Sequence, residues 1–274
     1  MTSSGNRLGI EMLSGLGLPP VELVTLAADL GCGHISTGLM QMPAAYNPLG
    51  YPDWSLLGDQ SLQREMIAVL ADRGVSISLG EGFAVRPGVN MADRGAEMDV
   101  MAQLGARGLG AVSMEPDAAR ALDEFATLAE MAQVRGMLAT IEFAPIQMVN
   151  TLATALEIVR AVNQPHFRLL LDVMHFFRSG GKLAELNALD PALIGYAQLC
   201  DVPLTGDDYV AEAMFGRLVP GEGELPLADF VAALPTDIPI GLEVPMLAKA
   251  RAGQGPLERL RPVVAAAQQL LKGN

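Results

Sequence analysis

LLLDVMHFFRSGG, residues 169–181, starts as a run of leucines and then places Asp172 and His175 three residues apart, where the apolar run ends. The leucines are typical of a buried β-strand. A carboxylate at a strand end is commonly a turn or cap residue, because it accepts hydrogen bonds from nearby backbone N–H groups. A functional carboxylate is the alternative, and the ends of the other strands decide between these two interpretations.

Seven more short apolar runs are interpreted as strands: RLGIEML (7–13), HISTGLM (34–40), VSISLGE (75–81), GLGAVSM (108–114), LATIEFA (138–144), LIGYAQL (193–199) and IPIGLEV (238–244). Helix-like stretches separate most of them, and several end in the glycine that a helix C-terminus favours. Eight strand and helix repeats predict an α/β fold, a single (β/α)₈ TIM barrel over residues 1–274. An open doubly wound sheet usually has fewer strands, and neither GxxxxGK[ST] nor GxGxxG follows the first strand.

The charge balance excludes several classes of partner. The 274-residue chain has 31 acidic and 18 basic residues and a formal net charge of −13, which repels nucleic-acid phosphates and anionic membranes. We therefore expect a small-molecule substrate, and a homo-oligomer stays open. The chain has only two cysteines, and its first residues are not a basic segment followed by an apolar stretch, as a signal peptide would be. It also has no run of about 18 apolar residues. We therefore expect a cytoplasmic protein without a membrane span.

Oxygen-bearing side chains follow four consecutive predicted strands. Glu142, Asp172, Gln198 and Glu243 stand at the C-terminal ends of the fifth to eighth strands, which is the end of such a barrel where active sites lie. Carboxylates that converge there repel one another unless protons or a cation lie between them. A divalent metal is the simplest solution, and this ligand set favours Mn²⁺ or Mg²⁺ while remaining compatible with Co²⁺ or Zn²⁺.

Five ordered motifs carry a family resemblance that covers essentially the whole chain: IEFAP (141–145), LDVMH (171–175), AQLCD (197–201), RLVPGEGELPL (217–227) and GLEVP (241–245). They resemble the xylose isomerase-like superfamily of sugar isomerases and epimerases, which includes inositol-catabolism enzymes, hydroxypyruvate isomerase and ketose 3-epimerases. The resemblance implies that Glu142, Asp172 and Glu243 are metal ligands, that His175 contacts substrate, and that Arg217 precedes the Pro-Gly-x-Gly loop and binds substrate. The seventh-strand ligand is usually histidine in this superfamily, where this chain has Gln198.

Several other polar residues have two interpretations. Glu11 and Glu81 end predicted strands, where they could touch substrate hydroxyls or make local polar contacts. His34 opens a strand and His166 precedes one, so both are expected at the opposite face as structural residues. The turn-rich segment 40–59 is either a loop that closes over the barrel mouth or a packed surface loop.

Proton transfer next to a carbonyl is the chemistry expected from these parts. A metal polarises the carbonyl, and a carboxylate removes the neighbouring carbon-bound proton to give a cis-enediolate. By the resemblance to the epimerases, Glu142 and Glu243 are expected to be the acid/base pair, and His175 to steady the oxygen that gains charge. The leading hypothesis is a metal-dependent isomerase or epimerase of a polyhydroxy carbonyl compound.

Two observations narrow the chemistry further. All three lysines lie outside the predicted strands, which disfavours a Schiff-base aldolase. The PGEGE segment (220–224) places Glu222 and Glu224 where many barrels bind phosphate, so a non-phosphorylated substrate is expected. A dehydratase or lyase acting on a cyclic keto acid or keto-glycoside shares the enolate and is the first alternative. A non-catalytic metal- or carbohydrate-binding barrel is the second, because Gln198 departs from the family pattern.

Overall fold

The protein forms a closed barrel of eight parallel strands. The structure, a computed structural model, describes residues 6–272, so residues 1–5, 273 and 274 of the predicted domain lie outside the described residues. The strands hydrogen-bond in chain order, and the last closes onto the first. They are β1 Leu8–Ile10, β2 His34–Thr37, β3 Ser76–Val85, β4 Gly108–Ser113, β5 Leu138–Glu142, β6 Phe167–Asp172, β7 Ile194–Leu199 and β8 Ile240–Leu242. The predicted (β/α)₈ fold is confirmed.

Helices cover the outside of this barrel. Those described are α1 Met12–Gly15, α2 Pro20–Asp29, α3 Gln60–Arg73, α4 Gly95–Gln103, α5 Ala118–Val134, α6 Leu152–Val162, α7 Val173–Arg178, α8 Leu183–Asn187, α9 Tyr209–Phe215, α10 Leu227–Ala232, α11 Leu247–Arg251 and α12 Pro256–Lys272. No helix within residues 6–272 is both long and apolar enough to cross a membrane.

Short-range signals explain where the helices begin and end. The Asp59 carboxylate accepts from the backbone N–H groups of Ser61 and Leu62 and starts α3, as an N-cap aspartate does. Gly74 ends the same helix with a φ of 65°, a left-handed conformation that glycine adopts without steric cost. Thr151 and Thr154 bond reciprocally at the start of α6. These signals fix the connections that bring each strand back to the barrel.

Strand β3 is longer than the sequence predicted. It runs to Val85 instead of stopping at Glu81, because Phe83 and Val85 are buried and continue the pairing with β4. The register shifts between Gly80 and Phe83, as in a β-bulge, which turns side chains away from their regular direction. The prediction that Glu81 ends its strand was therefore wrong, and Glu81 lies at the bulge.

The apolar core has two parts. The larger part lies between the strands and the helices, whereas Leu79, Leu170 and Tyr196 form a separate cluster. Leu170 lies between Leu169 and Leu171 of the larger part, an alternation expected for a residue on the inside of a barrel. Tyr196 is 2 % exposed and lies two residues before Gln198, so both side chains project from the same side of β7. The barrel interior thus leads directly to the predicted site.

Candidate metal centre and active site

The four predicted metal ligands lie at one end of the barrel. Asp172 pairs with Gln198 between β6 and β7, and Gln198 pairs with Gly241 between β7 and β8. Glu142 is the last residue of β5, and the backbone N–H of Glu243 donates to Leu199 just beyond β8. The four side chains therefore lie at the C-terminal ends of their strands, as predicted, and their role in binding a metal stays a prediction.

Arg217 lies between two of these carboxylates. Its Nη1 donates to Asp172 Oδ2 at 2.5 Å and its Nη2 lies 2.8 Å from Glu243 Oε2. Its Nε donates to the backbone oxygen of Ala213 at 2.8 Å, and the side chain is 2 % exposed. The guanidinium thus contacts both Asp172 and Glu243, and the binding of substrate by Arg217, which the family resemblance implies, stays a prediction.

Asp172 has both a structural and an electrostatic role. Its Oδ1 accepts from the backbone N–H of His175 at 2.8 Å and caps α7, so the cap interpretation is confirmed. Burial by itself would raise the pKa of Asp172, but Arg217 and the His175 contacts outweigh burial and lower that pKa. Asp172 is therefore a carboxylate at neutral pH, which suits a ligand of a cation.

Three side chains converge at the ends of β5 and β6. Ligand atoms of Glu142, Asp172 and His175 all lie within 4.8 Å of one another and form a group that could hold a metal ion. His175 Nε2 is 3.5 Å from Glu142 Oε1, and its Nδ1 is 2.7 Å from the Tyr209 hydroxyl. Glu142 retains 18 % exposure of its side chain, against 0 % for Asp172. Glu142 therefore has the more open access to the barrel mouth.

Burial controls the charge of this group. It lowers the pKa of His175 to about 4, so the imidazole is neutral at pH 7. It also raises the pKa of Glu142 and of Glu243, and neighbouring carboxylates raise both further. A cation bound among these oxygens would offset this repulsion.

Gln198 presents an oxygen atom without a partner. Its Nε2 donates to Glu11 Oε2 at 3.3 Å and, more weakly, to Glu243 Oε1 at 3.5 Å. Its Oε1 is buried and accepts no hydrogen bond from the part of the chain that the structure describes. A buried polar atom without a partner is uncommon and calls for an explanation such as an ion.

A second acidic pair lies beneath this site. Glu11 Oε1 accepts from the Tyr196 hydroxyl at 2.6 Å, and Ser36 donates to Glu81. Burial raises the pKa of Glu11 and, together with the Glu11 charge, raises that of Glu81 well above its usual range. Tyr196 and Gln198 both donate to Glu11, and the contact between the two carboxyl groups lowers the pKa of Glu11 and raises that of Glu81. The structure places Glu81 next to Glu11, and no contact tests its predicted binding to substrate.

Gly241 is required by the position of Glu11. A Cβ built on Gly241 would lie 1.5 Å from Glu11 Oε1, so Gly241→Ala must displace a buried carboxylate. We expect a loss of about 1–3 kcal/mol in the free energy of unfolding, as for other overpacked sites. Chemical denaturation measures it. The control is Gly95→Ala, where a Cβ in helical backbone meets only atoms at 3.5 Å; equal losses in the two variants would contradict the prediction.

The remaining predicted residues have clear positions. His34 opens β2, and its Nδ1 lies 2.8 Å from Ser76 Oγ at the opposite end of the barrel. His166 immediately precedes β6 and is exposed there, so both histidines lie away from the site as expected. Within residues 6–272 the lysines all lie outside the strands. Both cysteines are free and buried.

The segment 40–59 packs against the mouth of the barrel. Tyr46 stacks on Phe215 with ring centroids 5.6 Å apart and 16° between the planes. Gln41 Nε2 also donates to the backbone oxygen of Gly17 at 2.8 Å. The segment is thus tied to α9, which also carries Tyr209. Closure over a ligand stays a prediction.

The sequence interpretation missed two tyrosines. Tyr196 could have been found, because it lies two residues from Gln198 on the same strand and alternation places both inside the barrel. Tyr209 carried no such signal, since it lies on α9, 34 residues from the histidine that it contacts. Contacts of loop helices depend on how the loop packs, which strand periodicity does not encode.

These features define a (β/α)₈ barrel with an acidic site at the C-terminal ends of its strands. The chain belongs to the xylose isomerase-like TIM barrel family, whose model matches residues 24–261. This confirms the resemblance in the sequence motifs.

Two curated relatives are similar to part of the chain in sequence, and a solved structure is similar to nearly all of it in fold. The 3-dehydroshikimate dehydratase of Pseudomonas aeruginosa is 30 % identical over an alignment 182 residues long, which covers 62 % of this chain and 29 % of that protein. The Pseudomonas putida protein of the same name is 25 % identical over 186 residues, with the same coverage. The chain thus spans less than a third of the length of these relatives. The fold of the IOLI protein, crystallised with a zinc atom, matches with a TM-score of 0.79, 18 % identity and coverage of 97 % and 98 %.

Proposed function

We propose that this protein is a divalent-metal-dependent enzyme that moves a proton next to a carbonyl, and that it removes water from a cyclic hydroxylated keto acid such as 3-dehydroshikimate. The convergence of Glu142, Asp172 and His175 within 4.8 Å at the barrel mouth carries the proposal. The two curated relatives, both named 3-dehydroshikimate dehydratases, support this substrate class.

The residues present fit a hard divalent cation. Three carboxylates and an amide oxygen are the donors that Mn²⁺ and Mg²⁺ prefer, and Co²⁺ or Zn²⁺ could also bind. The unpartnered oxygen of Gln198 supports the fit. Glu142, Asp172, Gln198 and Glu243 would hold the ion, with His175 close to Glu142. When bound, such an ion polarises the carbonyl of a substrate and acidifies its neighbouring carbon.

The chain's own residues would then move the proton. His175 is neutral at pH 7 and can accept it at Nε2, while the 2.7 Å contact with Tyr209 holds the ring. Glu142 lies 3.5 Å from that nitrogen and can share the proton. In the elimination one C–H and one C–O bond break, a C=C bond forms, and the proton leaves with the hydroxyl as water. No oxidant or reductant is needed.

Product analysis tests this function. Purified protein loaded with Mn²⁺ is incubated with 3-dehydroshikimate, and mass spectrometry follows the appearance of a product lighter by one water. The expected product forms with Mn²⁺ and not after treatment with a chelator. No water loss under either condition would reject the elimination.

An isomerase or epimerase is the second candidate. The specific observation in its favour is that Glu142 and Glu243 both have raised pKa values at the same barrel mouth, as expected for a pair that takes up and returns a proton. In deuterated water, an isomerase would exchange the carbon-bound hydrogen of a ketose or an inosose without losing water. The same protein preparation can be tested with these compounds.

The metal preference depends on Gln198 if its oxygen is a ligand. Replacing Gln198 with histidine substitutes a nitrogen donor, so affinity for Zn²⁺ and Co²⁺ should rise more than affinity for Mg²⁺ or Mn²⁺. Competitive titration of the parent and Gln198→His proteins measures the ratio. An unchanged ratio of zinc to manganese affinity would remove Gln198 from the ligand set.

A further inference from the structure

Gln198 can offer a cation its oxygen only if its amide has the correct orientation. The two ends of an amide differ in chemistry, since the carbonyl oxygen binds a cation and the NH₂ group repels it. Rotation by half a turn about the last side-chain bond exchanges them. A site that uses glutamine therefore needs another group that fixes this rotation.

Glu11 is placed to fix it. Gln198 Nε2 lies 3.3 Å from Glu11 Oε2 and 3.5 Å from Glu243 Oε1, on the side of β7 where β8 and β1 lie. In the rotated amide, the Gln198 oxygen would face these two carboxyl groups. The observed orientation instead places the NH₂ group against Glu11 and Glu243 and leaves the oxygen without a hydrogen-bond partner among the described residues.

Glu11 is itself held firmly. It is completely buried, and its Oε1 accepts from the Tyr196 hydroxyl at 2.6 Å. Tyr196 is in turn 3.0 Å from Ser78 Oγ. On the other side, the carboxylate occupies the space above Gly241 that a Cβ would fill. A carboxylate fixed on these sides provides a fixed acceptor for the amide N–H.

We propose that Glu11 is a positioning residue that sets the amide of Gln198 with its oxygen free for the divalent cation. Tyr196 acts one step further away by holding Glu11. The inference rests on the proposed function, because it needs the cation site. It assigns to Glu11 a role through Gln198, which is different from contact with substrate or metal.

A double-mutant cycle tests this role with Mn²⁺ alone. The dissociation constant is measured by electron paramagnetic resonance of free Mn²⁺ for the parent, Glu11→Met, Gln198→Met and the double variant. We expect Glu11→Met to weaken binding by about tenfold or more, as for other groups that orient a metal ligand. In the Gln198→Met background, where no amide remains, the same change should have little effect.

Each other outcome is informative. Equal losses in both backgrounds would overturn the proposal, because Glu11 would then act only through its charge. Parent affinity in Glu11→Met would overturn it while leaving the metal site in place. Absence of Mn²⁺ binding by the parent would overturn both this inference and the proposed function. If Glu11→Met does not fold, the same cycle with Tyr196→Phe decides, and unchanged Mn²⁺ affinity in that variant overturns the proposal.

Discussion

Replacing Arg217 with methionine is expected to destabilise the metal-free protein by about 3–5 kcal/mol, the range found when one partner of a buried ion pair is removed. Arg217 is 2 % exposed, and its partners Asp172 and Glu243 are 0 % and 9 % exposed at their side chains. Methionine fills much of the same volume but carries no charge. Asp172 would then be a buried carboxylate without its cation, and its desolvation would remain uncompensated.

Urea unfolding in the presence of a chelator measures this loss without a metal that could replace the guanidinium. Arg73→Met is the matched control, since Arg73 also pairs with a carboxylate, but Arg73 and its partner Asp29 are 36 % and 47 % exposed. Exposed ion pairs contribute about 0–1 kcal/mol. Similar losses in the two variants would show that burial of the Arg217 pairs contributes nothing beyond an ordinary surface contact.

The same ion pairs show what sequence reasoning could reach. Apolar runs of strand length, separated by helical stretches, were sufficient to predict the eight strands, because the two periodicities follow from backbone geometry alone. The ends of these runs also placed Glu142, Asp172 and Gln198 at one face. The pairing of Arg217 with Asp172 spans 45 residues and depends on how the chain after α9 returns to the barrel, which no local pattern encodes.

Strand β3 shows a second feature that sequence reasoning did not predict. The predicted strand stopped at Glu81 because a charged residue and Gly82 interrupt the apolar run. In the structure, Glu81 contacts Ser36 of β2 and Glu11, which lies one residue beyond β1. A carboxyl group inside a barrel is stable only with such polar partners, and partners distant in sequence cannot be identified from the local sequence. The sequence therefore did not predict the polar contacts between residues that are distant along the chain.

Glu142→Gln is expected to slow the reaction by about 10²–10⁴-fold, the usual contribution of a group that transfers a proton. Glutamine keeps the size of the side chain and an oxygen donor for a cation, but it can neither take up nor release a proton at neutral pH. The effect should appear under both functional candidates. Glu142 shares the proton with His175 in the elimination, where the two lie 3.5 Å apart, and it is a member of the acid/base pair in an isomerisation.

The measurement compares water loss from 3-dehydroshikimate, and hydrogen exchange of ketoses in deuterated water, for the parent and Glu142→Gln proteins. Circular dichroism and metal analysis must first show the same fold and the same Mn²⁺ content, so that a lower rate reports proton transfer. Glu130→Gln is the control, because Glu130 is an exposed residue of α5 on the outside of the barrel, and it should retain the parental rate. A Glu142→Gln protein that is folded, metal-loaded and as active as the parent would remove Glu142 from the chemistry and leave His175 as the proton acceptor without a carboxylate partner.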